Sequence, residues 1–254
     1  MKKLFLIVFI AVLATGCAPN QLSGCLKGTG DIVQEEVDVA PFHEIIVYER
    51  VKLFIQQGPE QKVVIETGKN LRKDVYVDVK DGRLSIHNDN SCNLFRDYEV
   101  TKVYVTLPDL TWLQNSSGYA IESIGVLKFD NLWLRSFNQE MDPKIHTDGD
   151  FKLNLNVHDL RITNDNYSNY FLSGKADHVN AFFASGDGRL EGRNFIVQKY
   201  DIFHRGTNKL IVNPQQSFNA ELRSTGDVIV VHRPPQVQYK EYYTGRVIFE
   251  APAP

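Results

Sequence analysis

Residues 218–231 read FNAELRSTGDVIVV: an alternating segment, a polar corner containing Gly226, and a second apolar segment. Two earlier stretches are built alike, VNAFFASGDGRLEG at 179–192 and QKYDIFHRGTNKLIV at 198–212. Alternation with a period of two marks a half-buried strand, and Gly beside Ser, Thr or Asp marks a turn. Apolar anchors extend the pattern upstream as Leu113, Leu134, Ile162, Phe182, Ile202 and Leu222, with steps of 21, 28, 20, 20 and 20 residues. A period near 20 in a chain of short strands predicts stacked coils, because no single coil buries its inward face alone. The long step contains NQEMDPKIHTDGD at 138–150, which reads as an inserted loop.

The anchors fix an expected register. If they point inward, the residues one position earlier point outward: Trp112, Trp133, Arg161, Ala181, Asp201 and Glu221. Two positions after the anchors lie Asn115, Ser136, Asn164, Ala184, His204 and Ser224, a small or polar ladder next to the turn whose side chains can hydrogen-bond along the stack. Gly118, Gly186, Gly206 and Gly226 follow, where a tight corner can require a positive φ. Their surrounding chemistry varies while the spacing holds, so the corners are architecture and a binding site belongs on the outward faces.

Upstream, VYERVKLFIQQG, KVVIETG, DVYVDVKDG and RLSIHND alternate in the same way, with Asp81-Gly82 as a hairpin signal. No window carries a capped helical stripe. The fold class expected is all-β: a β-solenoid, similar to a right-handed β-helix, over 111–249, preceded by an all-β part over 31–110 and followed by a tail at 250–254.

The chain opens MKKLFLIVFIAVLATGC. Two lysines, ten apolar residues from Leu4 to Leu13, and small residues before Cys17 form a secretion signal, too short to span a bilayer. The segment around Cys17 resembles a bacterial lipobox, with Ala14 where the pattern usually has Leu. The resemblance implies cleavage after residue 16, acyl chains such as palmitate on Cys17, and a flexible tether over 17–30. Ala18, where Asp would signal inner-membrane retention, leans by the same resemblance towards the outer membrane of a Gram-negative cell. Removing residues 1–16 carries the net charge from −3 to −5, which leaves no basic footprint for nucleic acid. Cys25 and Cys92 remain, an even pair in an oxidising compartment, and they are a candidate disulfide closing a 68-residue loop.

FHEIIVYERVKLFIQQG (42–58), NLRKDVYVDVKDGRLSIHN (70–88), VYVTLPDLTWLQNSSGYAI (103–121) and the serial Ser-Gly or Thr-Gly corners after them resemble the putative auto-transporter adhesin, head GIN domain family of Gram-negative lipoproteins. The resemblance runs over residues 28–249 and implies a solenoid-like all-β fold and an envelope location. It supplies no catalytic residues.

The residues themselves give little chemistry. Asp148-Gly149-Asp150 and SGDGR at 185–189 lack calcium-loop spacing and read as turns. The seven histidines form no ligand motif, and His204 on the inward ladder is expected buried and hydrogen-bonded. No metal, cofactor or catalytic residue is assigned. Trp112 and Trp133, the only tryptophans, are equivalent positions on neighbouring coils and are the candidate ligand-binding residues, for a glycan or a protein. The alternative is that they pack beneath the amino-terminal strands or the 137–150 insertion. The function expected is a non-enzymatic, lipid-anchored envelope protein that binds or scaffolds. A carbohydrate-active enzyme using Asp201 and Glu221, or a purely structural lipoprotein, are the alternatives. No feature sets an oligomeric state.

Overall fold

The computed structural model describes residues 27–90, 97, 99–138 and 141–251. Cys17, Cys25 and Cys92, and with them the lipid and disulfide expectations, lie outside these residues.

The described chain is all-β apart from one turn of 3-10 helix at Arg72–Asp74. In order its strands are β1 (Ile32–Glu36), β2 (Glu44–Val47), β3 (Lys52–Gln57), β4 (Lys62–Gly68), β5 (Val75–Lys80), β6 (Arg83–Asn88), β7 (Lys102–Leu107) and β8 (Trp112–Asn115). Five long strands follow: β9 (Ile121–Ser136), β10 (Phe151–Asn164), β11 (Tyr170–Phe183), β12 (Leu190–His204) and β13 (Leu210–Leu222). The chain closes with β14 (Val228–Val230), β15 (Gln236–Glu241) and β16 (Val247–Phe249). All sixteen belong to one sheet that does not close into a barrel.

Each long strand carries two inward halves. In β10, Phe151, Leu153, Leu155 and Val157 are buried alternately, then the phase slips by one and Leu160 and Ile162 are buried. His158 and Asp159 at the slip are not buried, so the strand turns a corner there. The same slip separates Ala176 from Val179 and Val197 from Tyr200. Strands β9 to β13 stack in parallel along both halves, and the inward residues merge into one continuous core. Aromatic contacts run through it: Phe151 stacks on Tyr170 at 4.8 Å, Tyr170 meets Phe183 edge-on at 5.8 Å, and Phe183 meets His204 edge-on at 6.0 Å.

The stack departs from a uniform step of 20. Residues in register are Leu113, Leu134, Ile162, Ala181, Ile202 and Ala220, so the last three steps are 19, 21 and 18. Ala181 and Ala220 replace the expected anchors Phe182 and Leu222. Coil length varies because β-bulges shift the register, between Phe171 and Gly174 and between Glu191 and Ile196, for example. Phe182 therefore faces outward and stacks on Phe203 at 4.9 Å. The inward ladder at the turn is Ser136, Asn164, Phe183, His204 and Leu222, with Phe183 and Leu222 where Ala184 and Ser224 were expected. His204 is fully buried, and its Nε2 donates to the Asn208 carbonyl at 2.8 Å.

The amino-terminal strands extend the same stack. β2 pairs in parallel with β8, and β3 with β9. On their far sides lie β6 and β7, again parallel. Antiparallel β4 and β1 then cover β7, and antiparallel β5 covers β6. Asp81 and Gly82 join β5 to β6 with φ of 51° and 76°, the two left-handed residues of a type I′ hairpin. The order of coils in space is thus 83–107, 44–57 and 112–126, which is not the order of the chain.

Candidate functional site

Outward residues of the second halves form straight rows along the stack. One row runs Arg83, Glu44, Trp112, Trp133, Arg161, Asn180, Asp201, Asn219 and Gln238. Two residues further along the strands runs Ser85, Ile46, Gln114, Arg135, Thr163, Phe182, Phe203, Glu221 and Lys240. Neighbouring strands lie about 4.8 Å apart, so the rows form a ribbed face with a groove between them.

The groove deepens at two places. Near the carboxyl end, a shallow cleft of about 290 Å³ lies between the amide and carboxylate row of Asn180, Asp201, Asn219 and Gln238 and the row of Phe182, Phe203, Glu221 and Lys240. Near the amino end, a cleft of about 450 Å³ is lined by Glu44, Ile46, Tyr48, Arg83, Trp112, Gln114, Trp133 and Arg135, with Phe137, Asn138, Asp142 and Ile145 of the insertion forming one wall.

Trp112 and Trp133 are brought together in the larger cleft as register partners. They do not form a bare platform. Trp112 is only 7 % exposed. The Arg83 guanidinium lies over its ring at 4.2 Å, and that of Arg161 lies over the Trp133 ring at 4.1 Å. Trp133 Nε1 donates to Thr163 Oγ1 at 3.0 Å. Outward-facing indoles on a flat sheet leave a large apolar area in water, and the guanidinium groups cover it while keeping their own N–H edges solvated. Arg83 is held in turn by Glu44, with Nη2 to Oε2 at 2.6 Å.

The insertion wall is fixed by local hydrogen bonds. Asn138 Nδ2 donates to the carbonyls of Asp142 and Ile145 at 2.9 and 3.0 Å, and its Oδ1 accepts from the Asp142 amide at 2.9 Å. The Asn138 amide donates to Asp165 Oδ2 at 2.8 Å. His146 Nε2 meets Glu49 Oε1 at 2.6 Å, tying the loop to the coil below. Asp150 accepts from the Asn169 backbone amide and side chain at 2.9 and 3.0 Å, a bond to the next coil rather than within a turn. Tyr48, stacked on His87 at 4.5 Å, has its phenol pKa raised by burial and then by the Asp142 carboxylate.

Two expected outward positions shift with the register: Asn180 and Asn219 stand where Ala181 and Glu221 were expected. Asp201 consequently pairs with Asn219, while Glu221 lies one row away opposite Phe203. Both carboxylates are engaged, Asp201 with His178 Nε2 at 2.8 Å and Glu221 with Arg223. His178 also meets Asp159 at 3.1 Å, and beside it His158 meets Asp177 at 2.6 Å. That hydrogen bond, then the Asp159 charge, raises the His158 pKa on the open surface of the corner. Among the described residues no cluster of His, Cys, Asp and Glu suits a metal ion.

The sequence singled out neither Gln114, Arg83 nor Asp142. Gln114 sits among buried neighbours with no motif of its own, and the other two reach the cleft from a coil out of chain order and from an insertion.

The model of the putative auto-transporter adhesin, head GIN domain family matches residues 41–234. The chain belongs to this family. Among solved structures, a putative adhesin from Bacteroides fragilis is similar with a TM-score of 0.76 at 18 % identity, over 88 % of this chain and 99 % of the other. A putative lipid binding protein from Parabacteroides distasonis has a TM-score of 0.60 at 12 % identity, covering 87 % and 98 %. A putative adhesin from Parabacteroides merdae has 0.55 at 18 %, covering 89 % and 99 %. At these identities the likeness is one of fold. A search of the curated proteins found no relative.

Proposed function

We propose that this head GIN chain is a non-enzymatic, lipid-anchored protein of the cell envelope, an adhesin-like module that takes a glycan or protein ligand on its outward sheet face. The observation that carries the reading is the ribbed outward face, about nine strands long, with two clefts that mix aromatic, amide and charged side chains. Pockets of this composition on a rigid scaffold are the usual form of a recognition site. Family membership and the names of the similar structures support the adhesin-like part. Against the enzyme alternative, Asp201 and Glu221 both line the smaller cleft but each carboxylate is already engaged, Asp201 by the His178 imidazole and Glu221 by the Arg223 guanidinium.

The test is binding of the purified chain to arrays of glycans and of matrix proteins, with reducing-end release measured in parallel. Saturable binding without release is expected. Release abolished by Asp201→Ala or Glu221→Ala would replace the reading with a hydrolase. The anchor is tested separately: Cys17→Ala should abolish palmitate labelling and move the protein from the membrane to the soluble fraction.

A further inference from the structure

The larger cleft carries one feature that its neighbours do not. Gln114 is 4 % exposed and lines the cleft, and no group among the described residues hydrogen-bonds its side-chain amide. The amide is not cut off from water, so what it exposes opens on the cleft, where a ligand can take both its donor and its acceptor. We infer that the cleft beneath the 137–145 wall is a sugar pocket, taking one neutral hexose or N-acetylhexosamine unit of a glycan, with Gln114 as its central hydrogen-bonding group. The inference rests on the binding-module reading above.

Four observations select the ligand. The charged lining residues are Glu44, Asp142, Arg83 and Arg135, two of each sign, so the cleft favours neither an anion nor a cation. Donors and acceptors stand around an apolar floor of Ile46 and the indole edges, which suits a ring with hydroxyls on its rim and C–H groups on its face. An acyl chain would leave the Gln114 amide and the charged rim unpaired. An extended peptide is captured through the open edge of a sheet, but β2, β8 and β9 spend their backbone groups on one another here. The volume, about 450 Å³, lies within the range of small-ligand pockets.

The chain contains its own reporter. Its only two tryptophans both line this cleft, so occupancy reads as a change in intrinsic fluorescence. The experiment titrates the purified chain with a panel of neutral hexose and N-acetylhexosamine oligosaccharides, following fluorescence and calorimetry together. Expected is a saturable fluorescence change with one sugar class. Affinity should fall about tenfold in Gln114→Ala and in Asp142→Ala, from the loss of one or two hydrogen bonds, and should hold in Lys69→Ala, an exposed position that lines neither cleft. Circular dichroism and thermal melts confirm that the variants are folded. Affinity unchanged in both Gln114→Ala and Asp142→Ala overturns the pocket while leaving the module reading intact. A protein ligand, with no sugar bound, overturns the ligand class alone. No ligand in either array overturns both.

Discussion

Tyr200 lies inside the stack with its hydroxyl unpartnered. Burial drives its pKa well up, so it stays a neutral phenol. Removing a buried, unpaired hydroxyl without changing the ring should stabilise the protein, and Tyr200→Phe is expected to gain about 1 kcal/mol in urea unfolding at unchanged slope. A lower midpoint would mean that the hydroxyl has a partner. His204 poses the opposite case, since its imidazole is paired. Burial holds its pKa below the ordinary histidine range. The unfolded chain therefore takes up the proton first, and stability present above about pH 6.5 is lost as pH falls through the folded pKa. Phe occupies the same row one strand away, at Phe183. His204→Phe should thus lose less stability than the parent between about pH 7 and 5. His87, also lowered by burial, keeps its share of the pH dependence in both.

At the scale of the coil, what matters is how the corners close. Gly118 and Gly186 have φ of 75° and 83°, the conformation expected at the turns, but Gly226 does not. There the need is room: a Cβ would lie 2.2 Å from both the Asn208 carbonyl oxygen and His204 Nε2, the two ends of one hydrogen bond. Gly226→Ala should cost about 2–4 kcal/mol, read as a drop in melting temperature, because neither backbone nor buried ring can yield. The sequence made the strands, the corners and the Asp81-Gly82 hairpin legible, since each rests on local alternation or backbone preference. It left the exact register hidden. Bulges lengthen or shorten a coil without disturbing alternation, so Phe182 looked like an anchor although Ala181 holds that place. The site was half visible for the same reason. Trp112 and Trp133 share a phase that can be counted, whereas Arg83 and Asp142 meet them through topology and an insertion that no spacing encodes.

For the molecule as a whole, a stack of parallel coils makes stability a matter of neighbours. Strands β10, β11 and β12 are paired on both sides along both halves, while β15 and β16 each have one partner strand. Hydrogen exchange should therefore be slowest in β10–β12 and fastest in β15–β16. Uniform protection along the chain would show that the stack opens all at once. The displaced order of the first coils bears on how such a stack begins. Synthesis delivers 44–57 before either of its neighbours, and the neighbours arrive on opposite sides, 83–107 on one and 112–126 on the other. Between them the chain at 108–111 must step across the thickness of the older coil, with the Pro108 carbonyl taking a hydrogen bond from Gln57 Nε2 at 3.1 Å on the way. The oldest coil is thus the one that is enclosed, and a growing chain cannot lengthen as a simple filament from its amino end. From Trp112 onward each new coil adds in one direction.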